Sequence, residues 1–106
     1  MGQFVIACYR PKEGREEHLL EEVRKHVPTL REQGLVTDRP PYLMRSKDRT
    51  LVEIFEWASE DAVQAAHQNR VVGEMWKRFE EICEYVSLGQ LEESTLPFAP
   101  FEPVDL

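Results

Sequence analysis

Residues 42–68 read YLMRSKDRTLVEIFEWASEDAVQAAHQ, and this stretch decides the fold. A short apolar segment, 42–45, is separated from the apolar run 50–57 by four polar residues, a typical length for a hairpin loop. Ser59 then stands in the position of a helix N-cap and is followed by two acidic residues, which favour a helix N-terminus. The stretch therefore predicts a β-hairpin whose second strand leads directly into a helix.

The flanking sequence predicts one further strand and helix on each side. Residues 4–9 are apolar, β-branched and aromatic, which predicts a first strand buried on both faces, and residues 85–88 predict the last strand. Helical periodicity marks residues 15–33 and, most clearly, residues 72–83. Leucine and valine recur at helical spacing in the first helix and predict an apolar stripe of Leu20, Val23, Val27 and Leu30. The helix that begins after Ser59 and the helical run 72–83 lie between the same two strands and count as one helical unit. The resulting order βαββαβ predicts an α+β fold, ferredoxin-like, with a four-stranded antiparallel sheet.

We expect a domain over residues 1–93 and an extended arm over residues 94–106. The arm holds three prolines, Pro97, Pro100 and Pro103, which exclude a helix and a central strand. It also carries Phe98 and Phe101, which a solvated tail would not normally contain. The arm is therefore predicted to pack on its own subunit or on a partner subunit.

The strands carry apolar residues on both sides, but the predicted helices cover only one face of the sheet. A second copy of the same sheet is the simplest cover for the other face. The sequence thus predicts a homodimer in which the two sheets face each other. A small apolar pocket is expected between the sheet and the helices of each subunit.

The charge and the cysteine content limit which binding partners and which cellular compartment are expected. The 106 residues contain 13 Lys and Arg against 20 Asp and Glu, a net charge of −7, which disfavours nucleic acid and an anionic membrane surface as partners. The apolar runs are too short to span a bilayer. The two cysteines suit neither a disulfide framework nor a metal site, so a cytoplasmic setting is expected.

Two segments carry a recognisable pattern: EWASE, residues 56–60, followed by AAHQ, residues 65–68, and YRPKEGREE, residues 9–17. Together they resemble the antibiotic biosynthesis monooxygenase (ABM) family, which implies that the predicted homodimer is a dimeric α/β barrel. The family shows a strand ending in Trp, an acidic helix start, an Ala-His pair and then an aromatic-bearing helix. In this chain those places are filled by Trp57, Glu60, Ala66, His67 and Trp76.

The resemblance implies an oxidoreductase, a monooxygenase without a cofactor, acting on a small aromatic or quinol-type substrate. Quinone-forming members carry an Asn and a Trp four apart on the third strand; here the matching pair is Glu53 and Trp57, and Val63 stands where those enzymes carry a Tyr. Haem-degrading members use a first-strand Asn and a His ligand on the later helix, and Trp76 stands near that ligand position. Haem is therefore disfavoured, and no cofactor and no metal are predicted.

Two side chains are candidate general bases. Glu53 is a carboxylate that alternates with apolar residues on one strand face, and His67 has an imidazole, a side chain that could accept a phenolic proton. Each has a structural alternative: Glu53 as a solvated strand-edge residue or paired with Arg45 across the hairpin, and His67 as a helix-end residue bonded to backbone or at the dimer seam. His18 and His26, on the charged first helix, are expected to be solvated.

Four aromatic residues are candidate contacts for an aromatic substrate. Trp57 and Trp76 offer flat walls, and Tyr9 and Tyr85 lie on strands that the fold would place side by side. Plain core packing is the alternative for all four. The sequence accordingly leaves three hypotheses open: an ABM-like enzyme, a non-catalytic small-molecule-binding or structural homodimer, and a subunit that works with a protein partner through its acidic helix faces.

Overall fold

The computed structural model describes residues 2–106, so the first position of the predicted 1–93 domain lies outside it. The chain has an α+β fold with three helices and a five-stranded antiparallel sheet. The elements are β1 (Gln3–Pro11), α1 (Glu16–Glu32), β2 (Tyr42–Arg45), β3 (Leu51–Trp57), α2 (Glu60–Gln68), α3 (Arg70–Ile82), β4 (Cys83–Val86) and β5 (Glu102–Pro103). Within residues 2–106, no helix combines the length and apolar composition that a membrane crossing requires.

The strands are ordered β4-β1-β3-β2-β5, which places β3 at the centre of the sheet. In the β1–β3 pair, Ala7 stands opposite Glu53, and Tyr9 stands opposite Leu51. Tyr9 also stands opposite Tyr85 on β4, as the sequence predicts for two neighbouring strands. Because side chains alternate along a strand, Tyr9, Glu53 and Tyr85 point to the same face of the sheet.

The main core lies between this face and the helices. Buried residues of α1 and α3, among them Leu19, Val23 and Phe79, pack against Phe55 of β3. Helix α1 ends at Glu32, and Gly34 follows it with a φ of +73°, which suits glycine and allows the N–H groups of Gly34 and Leu35 to bond to the carbonyls of Arg31 and Leu30. This ending turns the chain back towards the sheet edge.

Helices α2 and α3 begin at side-chain caps. Ser59 accepts a hydrogen bond from the N–H of Ala62, as predicted, and Asn69 accepts one from the N–H of Val72. Asn69 separates the two helices because its backbone is extended. The cap at Asn69 sets the start of α3, the helix that carries Trp76.

The opposite face of the sheet is only partly covered within one chain. Cys8 and Val52 are buried there beneath Leu91, with Phe101 packed beside them. Further along β1, Phe4 is 59% exposed and Ile6 is 46% exposed. The prediction that this strand is buried on both faces is therefore wrong for the N-terminal half of β1 in a single chain, because the segment that follows β4 does not reach it.

The sheet has five strands, so the prediction of four is wrong by one edge strand. The Pro-rich arm adds β5 alongside β2, and the N–H of Val104 bonds to the carbonyl of Leu43. Proline is tolerated at such an edge because no further strand needs its missing N–H. The last core strand also starts earlier than predicted, at Cys83, because it follows α3 without a loop.

Candidate functional site

A cavity of about 390 Å³ opens between the helices and the face of the sheet that carries Tyr9. Five of the six predicted site residues line it: Tyr9, Trp57, His67, Trp76 and Tyr85. Five residues that were not predicted complete the walls: Val5, Ala7, His26, Phe55 and Glu80. The walls are mainly aromatic and aliphatic, with a few polar atoms, as is common for small-molecule sites.

The two predicted bases occupy different places. His67 stands at the exposed rim, where its ring meets Trp76 edge to face at 5.2 Å. Glu53 does not line this cavity; it lies behind the wall, fully buried on the central strand. It reaches the cavity only through the side chains of Tyr9 and His26.

His26 joins Glu53 to the cavity. Its Nδ1 lies 2.7 Å from Glu53 Oε1, and its Nε2 lies 3.0 Å from the indole Nε1 of Trp76. The residue is only 3% exposed, so the prediction of a solvated His26 is wrong. The physical reason is the helical phase: of the two leucines in the first turns of α1, Leu19 and not Leu20 is fully buried, and His26 lies seven residues after Leu19 on the same face.

The hydrogen-bond geometry selects one tautomer of His26. The indole N–H of Trp76 can only donate, so Nε2 must accept and carries no hydrogen. The ring hydrogen then lies on Nδ1 and is donated to Glu53 Oε1. His26 is therefore a neutral imidazole whose basic nitrogen is on the cavity side and whose other nitrogen is held by a carboxylate, an arrangement that suits a general base.

Tyr9 completes the network from β1. Its hydroxyl donates to Glu53 Oε1 at 2.8 Å and lies 3.4 Å from His26 Nδ1. Burial, reinforced by the charge of Glu53 and this hydrogen bond, raises the pKa of Tyr9 well above its usual value. Tyr9 is therefore a neutral donor that helps to hold the carboxylate in place.

Glu53 has one satisfied oxygen and one unsatisfied oxygen. Oε1 accepts from Tyr9 and His26, whereas Oε2 is buried with no hydrogen-bond partner among the described residues. Both structural alternatives for Glu53 are wrong: the residue is buried at the sheet centre, and Arg45 lies 3.6 Å from Glu102 instead. A carboxylate at this depth needs charge-assisted hydrogen bonds to offset its desolvation.

Tyr85 is placed differently from Tyr9. It is 53% exposed and donates to the backbone carbonyl of Trp76 at 3.4 Å. Partial burial and the neighbouring Cys83 and Glu80 raise the pKa of Tyr85 to about 12. Its hydroxyl therefore stays neutral near physiological pH and can donate a hydrogen bond at the cavity mouth.

Aromatic rings packed around His26 and Tyr9 hold the polar network in position. The His26 ring lies 5.4 Å from Phe55, perpendicular to it, and 5.2 Å from Phe79. Phe79 in turn meets Tyr9 edge to face at 5.3 Å. Because these rings fill the space around the imidazole, His26 has little freedom to leave its contact with Glu53.

The arrangement can therefore bind a flat apolar molecule and present an imidazole nitrogen to an acidic hydrogen on it. His26 is the functional candidate that the sequence reasoning missed, and its seven-residue spacing from Leu19 was the available signal. Among residues 2–106, no group of three or more His, Cys, Asp and Glu side chains is placed to hold a metal ion. Comparison of the chain with protein-family models, with curated proteins and with solved structures finds no match.

Proposed function

We propose that this protein is a homodimeric, ABM-like monooxygenase that oxidises a small phenol- or quinol-type aromatic with dioxygen and without a cofactor. One observation carries the proposal. A neutral His26, held by buried Glu53, directs Nε2 to the indole N–H of Trp76, and both residues line an aromatic-walled cavity of about 390 Å³. A buried carboxylate–imidazole pair beside an apolar cavity is suited to removing an acidic hydrogen from an aromatic ligand.

The strand order supports the ferredoxin-like part of the proposal. Without β5, the order β4-β1-β3-β2 is the one that two strand–helix–strand units make in that fold. The homodimer is supported by the uncovered face, where Tyr42, Ile54 and Ile6 stand opposite one another across three strands. Tyr42 is 72% exposed, and pairing this row with a second copy would bury it.

The chemistry begins with proton removal. The substrate hydroxyl takes the place of the Trp76 N–H at His26 Nε2 and transfers its proton there, leaving a phenolate with electron density on its ring carbons. Dioxygen adds to a ring carbon that carries hydrogen and forms a peroxide, which accepts a proton. Loss of that carbon's hydrogen and cleavage of the O–O bond then yield a quinone and one water, so phenol plus dioxygen balances quinone plus water.

The test is dioxygen consumption with a panel of phenols, quinols and anthrone-type compounds. His26→Gln should lower kcat by roughly 100-fold or more, the usual worth of a general base, with a smaller effect on KM. His18→Gln is the matched control, since His18 lies on the same helix and is exposed. If no compound of the panel is oxidised, the proposed function is wrong. If His26→Gln is as active as His18→Gln, His26 is not the base.

A non-catalytic, small-molecule-binding homodimer is the second candidate. One observation favours it: the Trp76 N–H already satisfies His26 Nε2, so the network is complete on the cavity side without a substrate. Titration of Trp fluorescence with the same panel separates the two candidates. Saturable quenching without dioxygen consumption would assign the cavity to binding alone.

A further inference from the structure

A second, smaller cavity lies behind Glu53, on the side away from the aromatic cavity. It has a volume of about 170 Å³ and is lined in part by Arg24, Arg31, Glu53 and Leu106. Glu53 lines this cavity and not the larger one, whereas Tyr9 and His26 line the larger one. Oε1 of Glu53 is bonded to Tyr9 and His26, and Oε2 is the oxygen that is left without a partner.

Two unsatisfied polar atoms belong to residues on the walls of this cavity. Glu53 Oε2 is an acceptor, Arg31 Nε is a donor, and both are buried without a partner among residues 2–106. Arg31 uses Nη2 elsewhere, donating to the carbonyl of Arg39 at 3.1 Å. A buried acceptor or donor without a hydrogen bond lowers the free energy of unfolding. A small ligand that can both donate and accept a hydrogen bond would satisfy both atoms.

We propose that the smaller cavity is a water site that links the His26–Glu53 pair to solvent beneath the side chain of Leu106. Water donates to Glu53 Oε2 and accepts from the Nε–H of Arg31, which satisfies both atoms. The cavity has room for several water molecules at about 30 Å³ each, and it offers the polar partners that buried water needs. Glu53 then contacts His26 through one oxygen and water through the other.

This water site lets the Nδ1 hydrogen of His26 exchange with solvent by a route that does not cross the aromatic cavity. The hydrogen passes from Nδ1 to the Glu53 carboxylate, water in the smaller cavity takes it up, and a hydrogen from water returns to Nδ1 by the same route, so both residues regain their starting protonation. The route matters because a bound aromatic ligand would cover the front of His26. Only this use of the water site rests on the proposed function; the site itself follows from the two unsatisfied atoms.

Leu106, at the end of the arm, is one of the wall residues of the smaller cavity and is 56% exposed. Nε and Nη2 of Arg24, another wall residue, donate to the backbone carbonyl of the neighbouring Asp105 at 3.2 and 3.0 Å. This part of the wall therefore depends on one half-exposed side chain and two exposed hydrogen bonds, so it can be altered without disturbing the core.

The experiment measures solvent exchange of the His26 Nδ1 hydrogen by ¹⁵N NMR, without substrate. Leu106→Gly and Arg24→Gln should each speed exchange by roughly tenfold or more, because each loosens the local cover. Phe98→Ala is the control on the same arm, since Phe98 is 93% exposed. Unchanged exchange in either cover variant, or equal acceleration by Phe98→Ala, overturns the proposal.

A crystal structure of the full chain supplies the second measurement. Water is expected within about 3 Å of Glu53 Oε2. A dry cavity, or an Arg31 side chain turned to bond Glu53 directly, overturns the proposal. Neither the exchange measurement nor the crystal structure needs turnover, so both remain interpretable if the protein proves not to be an oxygenase. Conversely, the absence of the water site would leave the activity assay unaffected.

Discussion

The hydrogen bond from Tyr9 to Glu53 gives the sharpest test of the buried network. Tyr9→Phe removes only the hydroxyl, which donates to Glu53 Oε1 at 2.8 Å, and keeps the ring that packs against Phe79. Both partners are buried, with Tyr9 at 3% and Glu53 at 0% exposure. A hydrogen bond to a charged group contributes about 1.5–3 kcal/mol, so we expect the free energy of unfolding to fall by about 2 kcal/mol.

The assay is urea unfolding at pH 7, followed by far-UV circular dichroism, with the slope m checked for constancy. Tyr85→Phe is the matched control, because Tyr85 is 53% exposed and its hydroxyl makes only a 3.4 Å hydrogen bond to the Trp76 carbonyl, so its loss should change stability by less than about 0.5 kcal/mol. A Tyr9→Phe variant as stable as its Tyr85 counterpart would refute the reasoning. It would mean that the carboxylate does not depend on this donor.

The same pair of proteins gives a second test at alkaline pH. The pKa of Tyr9 is raised in the folded state by burial and by Glu53, whereas an unfolded tyrosine ionises near pH 10. The stability that the neutral hydroxyl contributes is therefore fully present below pH 10 and is lost as the pH rises further. The difference between wild type and Tyr9→Phe should shrink above pH 10, and a constant difference would contradict the assignment.

Three further predictions use other parts of the chain. Although burial raises the pKa of Asp48, hydrogen bonds from Ser46, Thr50 and Arg10 hold it at about 2, below its ordinary value of 3.8. Because its side chain is 45% exposed, Asp48→Asn should lower the free energy of unfolding by only about 0.5–1 kcal/mol at pH 7. This difference should disappear as the pH falls from 4 through 2, which thermal unfolding at a series of pH values would measure, with Asp38→Asn as the control. Cys8 and Cys83 are buried thiols, and burial raises the pKa of Cys83 to about 11, so neither should react with a thiol reagent at pH 7 until the protein unfolds. Ile6→Glu should convert the proposed dimer to monomer in native mass spectrometry, and an unaltered dimer would place the interface elsewhere.

Much of the fold could be predicted because it depends on local patterns. The alternation of residues 51–57 and the cap at Ser59 depend only on neighbouring residues, and both appear in the structure where they were expected. The start of β4 was predicted too late because α3 runs into it without any turn residue between them. The fifth strand was missed because β5 is only two residues long and pairs with a strand nearly sixty residues earlier.

The candidate site was predictable only in part. The period-2 pattern of β3 places Glu53 and Trp57 on one face, and the structure keeps them there. Helical spacing alone left His26 ambiguous, because Leu19 and Leu20 both continue an apolar stripe and only one can face the core. Packing of α1 on the sheet selects Leu19, and that choice of phase buries His26 beside Glu53.

Local sequence patterns predict the order of the helices and the first four strands, the cap at Ser59 and the apolar strand face that carries a carboxylate, since each depends on residues close together in the chain. Only the tertiary structure decided that Tyr9, His26, Glu53 and Trp76 form one hydrogen-bonded chain, because these residues come from four different elements. It also decided that Glu53 stands between two cavities. The physical reason is that a buried carboxylate must find its donors in space, and those donors lie as far as 44 residues away in the sequence.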